Sequence, residues 1–102
     1  DPPGQTRAEV DILLQNTESM VAVEVKSKLL ERHIDEHVKR LEVLRSWADK
    51  HGDHRKIHGA VAGAIVAPGV RNYALNAGFY VIVQTGDTVK IDVPAGFSPR
   101  QW

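Results

Sequence analysis

The sequence predicts an α/β domain around a mixed β-sheet, with elements in the order strand, strand, helix, strand, helix, strand, strand. Three observations carry this. Two segments with period-2 alternation lie either side of a short polar cluster. About twenty residues after them place apolar side chains at steps of three and four. An apolar run rich in Ala, Gly and Val then follows without clean alternation, as in a central strand covered on both faces.

The lead-in "DPPGQTRA", residues 1–8, is rich in Pro and Gly and is expected to be a linker or a disordered lead-in, leaving 9–102 as a single domain that is expected to be a fragment of a longer chain. "EVDILL" alternates Val10, Ile12 and Leu14 against Glu9, Asp11 and Leu13, and "QNTES" is a turn cluster. "MVAVEVK" alternates Val21, Val23 and Val25 against Met20, Ala22, Glu24 and Lys26. Together they predict an antiparallel hairpin with its valines toward the core and Glu24 and Lys26 outward. From about residue 29 to 50, Leu30, Ile34, Val38, Leu41, Leu44 and Ala48 mark an amphipathic helix, and Gly52 is its stop signal. "IHGAVAGAIVA" is the central strand. Pro68 opens a short helix through about Ala77, capped by Gly78. "FYVIV" and "TVKIDV" flank a turn at Gly86, and Phe97 and Trp102 of the tail are placed to pin it to the body.

A chain of 102 residues with 25% charged side chains suits one globular domain. It has no cysteine, which removes disulfides and thiolate zinc sites and permits an intracellular setting; a cytoplasmic protein is the expectation. No stretch approaches the length of a membrane helix. The formal net charge is zero, so a whole-domain basic field is absent, which still leaves room for a local basic patch.

The chemistry concentrates on the hairpin. Pairing Gln15 with Met20 places Asp11 opposite Glu24 and Glu9 opposite Lys26. Opposed residues point to one face with Cβ atoms about 5 Å apart, so this register gathers Glu9, Asp11, Glu24 and Lys26. Paired carboxylates bind hard cations such as Mg²⁺, which prefer oxygen ligands and retain water. A carboxylate-held metal beside a phosphodiester polarises it and activates bound water, and an ammonium at the edge stabilises the charge that builds on phosphorus. The bland alternative is a solvated hairpin face with cross-strand ion pairs, each contributing about 0.2–1 kcal/mol.

An Asp in "EVDILL", a short turn, then "VAVEVKSKL" and a long helix resembles the PD-(D/E)xK nuclease superfamily, over roughly Arg7 to Val83. The resemblance implies a restriction-endonuclease-like fold and a metal-dependent nuclease acting on DNA. It implies that Asp11, Glu24 and the Val25 carbonyl hold Mg²⁺ (Mn²⁺ as substitute), with Lys26 catalytic and Glu9 an added acid. The family core normally begins with a helix and a further strand, which do not fit before Glu9. They are missing, lie upstream, or come from a second subunit, which makes a homodimer one expectation. The Pro of the motif is also absent before Asp11. The reading from another class is a catalytically inactive, nuclease-derived interaction or dimerisation module.

Other polar clusters carry bland readings. His33 and His37 have the i, i+4 spacing of a metal pair but read as a solvated helix face, as do Lys28, Arg32, Lys39 and Arg40. His51, His54 and His58 read as a polar connection. Arg71 and Asn72 open the second helix, where phosphate contact is the sharper alternative. Trp47 reads as core and Gly63 as packing.

Overall fold

The computed structural model describes residues 10–102. The predicted order is observed: β1 Ile12–Gln15, β2 Ser19–Lys28, α1 Glu31–Lys50, β3 Lys56–Ile65, α2 Pro68–Asn76, β4 Tyr80–Thr85 and β5 Thr88–Ile91. The five strands form one sheet in sequential order, antiparallel at the two outer pairs and parallel at β2–β3 and β3–β4. The hairpin register is the expected one, with Ile12 opposite Val23 and Gln15 opposite Met20. Its turn is closed by Asn16, whose Oδ1 accepts the Glu18 and Ser19 N–H groups at 2.8 and 2.9 Å.

The two parallel crossovers determine which face is core. Each connects neighbouring strands in the same direction across the sheet, and right-handed connections of that kind put both helices on one side. Met20, Ala22, Ile57, Val61 and Val81 face that side and pack with Ile34, Leu41 and Phe79. This corrects the expectation for β2. The covered face is Met20, Ala22 and Glu24, not the valine face. Among the valines Val23 is 4% exposed but Val25 is 45% exposed. Alternation specifies two faces without saying which one receives the helices, and β2 is apolar enough on both for either choice.

The register places Ile12, Leu14, Val21, Val23, Val25, Ala62, Ile82, Val89 and Ile91 on the helix-free face. Its centre is screened by neighbouring side chains, but Ile12, Leu14, Val89 and Ile91 at its edges are exposed. The expected central-strand run of residues 57–67 ends its ladder at Ile65; the helices cover one of its faces, and on the other Ala60 is still only 2% exposed. A groove of about 270 Å³ lies against Val25, Ala62, Ile82 and Val89.

The tail is pinned as expected. The Trp102 ring stacks on Phe79 with centroids 5.1 Å apart, the Trp102 N–H donates to the Ile57 carbonyl at 2.9 Å, and Phe97 meets Tyr80 edge-on. Trp47, expected in the core, is 52% exposed and stacks on His51 instead, because it falls on the outer flank of α1.

Gly59 permits the close approach of Phe79: a Cβ there would lie 2.6 Å from Phe79 Cδ1, against the ring that anchors both His37 and Trp102. Gly69, in the first turn of α2, has nothing within 4 Å of such a Cβ. Gly59→Ala is expected to destabilise the fold by about 1–3 kcal/mol through overpacking, and Gly69→Ala to stabilise it by about 0.4–1 kcal/mol, measured by urea unfolding.

Candidate functional site

The site lies where β1 enters the sheet and the C-terminal half of β2 passes beneath α1. Residue 24 is held in phase by what flanks it. Ala22, fully buried, accepts a hydrogen bond from His37 Nε2 at 2.9 Å through its carbonyl. At the strand's end, the Leu29 N–H donates to the Ile65 carbonyl at 3.0 Å. The Glu24 side chain therefore points into the sheet–helix layer and is 3% exposed.

Asp11 stands just before β1, in line with Glu24 by the continued register, and is exposed. Its Oδ2 accepts the Val25 backbone N–H at 2.8 Å. That bond is the main reason its carboxyl is held below the usual carboxylate range. Glu24 moves the other way. Burial pushes its carboxyl up, and the hydrogen bond shared with Asp11 adds to this, while Arg40 and Lys26 pull it down. The two carboxyls therefore part in opposite directions, Glu24 keeping a proton more readily than Asp11.

Both Glu24 oxygens face cations. Lys26 Nζ lies 3.7 Å from Oε1 and its side chain is 38% exposed. Arg40 Nη1 donates to Oε2, and Arg40 Nη2 lies 3.7 Å from Glu36 Oε2, one helical turn away. His37 is fully buried, with Nδ1 3.9 Å from Glu24 Oε2. Because the Ala22 carbonyl can only accept, His37 carries its proton on Nε2 and turns the Nδ1 lone pair toward the carboxyl. Burial holds the His37 pKa below its ordinary value, which favours this neutral form.

Of the expected residues, Asp11, Glu24 and Lys26 come together, and Val25 joins through its backbone. Glu9 lies outside the described residues. In a strand the N–H and C=O of one residue point to the same edge, so the Val25 carbonyl faces the edge on which Asp11 sits. Two carboxylates and a carbonyl are oxygen donors suited to a hard cation that keeps waters of its own. Among the described residues no three His, Asp or Glu side chains converge as a metal cage. His33 does not pair with His37; its Nδ1 accepts the Leu30 N–H at 3.0 Å. His51 and His58 bond instead to the carbonyls of Trp47 and Arg100. Arg71 pairs with Asp92 at 2.9 Å.

Two residues expected on a solvated helix face belong to the site: His37 and Arg40. The sequence does carry a signal for His37, since Ile34, His37, Leu41, Leu44 and Ala48 follow a 3-4-3-4 rhythm that the stripe through Val38 passes over. Arg40, one turn beyond Glu36, has no such signal. Compared with protein-family models, with curated proteins and with solved structures, the chain matches none.

The opposite shifts of Asp11 and Glu24 give opposite pH slopes. Asp11, with its folded pKa lowered, contributes stability that is present above its unfolded value and lost as pH falls through the folded one. Glu24, with its folded pKa raised, makes the native state bind more protons than the unfolded chain, so stability declines as pH rises through the folded value. Glu24→Gln is therefore expected to raise the Tm at about pH 8, with the gain shrinking toward about pH 4, followed by calorimetry across that range.

Proposed function

We propose that the domain is a divalent-metal-dependent nuclease of the PD-(D/E)xK type, hydrolysing phosphodiester bonds of DNA. The observation that carries this is the pairing of Asp11 with Glu24 across the hairpin, with Lys26 two residues on along the same strand. Asp11, Glu24 and the Val25 carbonyl would hold Mg²⁺ or Mn²⁺. When bound, such an ion supplies Lewis-acid polarisation of the phosphoryl oxygen and a water of lowered pKa.

The chain's own groups do the rest. Asp11, exposed and readily ionised, presents a carboxylate to solvent where substrate arrives. Glu24, recessed beneath α1, fixes the second oxygen donor against the sheet. The Lys26 ammonium, at the rim, donates hydrogen bonds to the attacking water or to a phosphate oxygen and offsets the charge growing on phosphorus. The Val25 N–H keeps Asp11 aimed at the pair.

The purified protein is expected to nick or cleave DNA in Mg²⁺ or Mn²⁺ and to be silent in EDTA. Lys26→Ala and Asp11→Ala are each expected to lower the rate by at least about 100-fold. Failure to cleave any DNA form in either ion would overturn the catalytic reading.

The exposed apolar edges of the helix-free face favour a second reading, a nuclease-derived module that associates through that face. Sedimentation equilibrium separates the two: a self-associating module that takes up no Mn²⁺ fits it, and Leu14→Lys with Ile91→Lys would then return the monomer.

A further inference from the structure

Resting on the nuclease reading, we infer that Arg40 and a divalent cation compete for Glu24, and that the guanidinium displaced by the cation becomes a ligand for a phosphate oxygen of the DNA. The Glu24 carboxylate is 3% exposed and presents only two oxygens. Arg40 donates to Oε2, and Lys26 lies beside Oε1. A cation held by Asp11 and Glu24 would meet the guanidinium at short range, where like charges repel strongly because the carboxylate is desolvated.

Arg40 has somewhere to go. Its side chain is 28% exposed, so it leaves Glu24 outward and not through the core. Glu36, 51% exposed and 3.7 Å from Nη2, offers a second anchor at the surface. The planar fork of a guanidinium matches two phosphate oxygens, which a lone ammonium does not. Arg40 thereby adds a second positive side chain beside Lys26, in a domain whose net charge is zero.

Two assays on the full chain test this, after circular dichroism has shown that each variant is folded. In the first, Mn²⁺ alone is titrated and the free ion is read by electron paramagnetic resonance. Arg40→Gln is expected to bind Mn²⁺ about three- to tenfold more tightly than wild type. In the second, a labelled DNA duplex is bound in Ca²⁺ and in EDTA, read by anisotropy. Arg40→Gln is expected to weaken binding roughly tenfold in Ca²⁺ and to leave it unchanged in EDTA. Arg40→Lys, which keeps the charge and loses the fork, should lie between the two proteins in both assays, and decides the matter if Arg40→Gln does not fold.

An equal loss of DNA binding in Ca²⁺ and EDTA would mark Arg40 as structural and overturn the inference. So would Mn²⁺ binding by the variants that is unchanged or weaker while wild type binds the ion. Wild type that takes up no Mn²⁺ overturns the acid-pair reading itself, and the inference with it.

Discussion

The constraint on which the rest of this structure depends is a carboxylate held between sheet and helix. An isolated charge there would cost several kcal/mol. Glu24 is tolerated because Arg40 and Lys26 meet its two oxygens. Both contacts depend on the phase of α1 relative to β2. Ile34 and Leu41 fix that phase by packing on the sheet, and the same turn of helix carries His37 over Ala22 and Arg40 over Glu24. Rotating α1 by one residue would carry Arg40 away and leave the carboxylate uncompensated.

The pair is asymmetric. Asp11 receives a backbone N–H and stands in water; Glu24 is desolvated. Two carboxyls whose environments push them apart take different roles, since one stays ionised while the other holds its proton more readily. A divalent cation removes the reason for that division by favouring ionisation of both. A proton and such a cation would compete for the same two carboxyls, beside the buried His37 ring.

Much of this is legible in the sequence, and the gaps have physical causes. Element order follows from periodicity, and the hairpin register follows from matching Ile12 and Leu14 with the β2 valines. The side taken by the helices does not, because handedness of the crossovers decides it and alternation within one strand carries no such information. Once that side is known, Glu24 becomes a buried acid, and a buried acid demands a cation within reach. Arg40 is then found by looking sixteen residues on, a contact that no local pattern encodes. Trp47 departs from its expected place because a large aromatic on the flank of a stripe packs as readily on a neighbouring imidazole as on the core.

One residue joins the two faces of the sheet. The Val25 side chain lies on the helix-free face, while its N–H holds Asp11 at the edge of the other. Its partner across β3 is Ala62, whose small side chain leaves the groove beside Val25 open. Anything that shifts the backbone at Val25 would therefore alter the aim of Asp11. The exposed apolar face and the acid pair are consequently not separate features; they are the two sides of one peptide unit in β2.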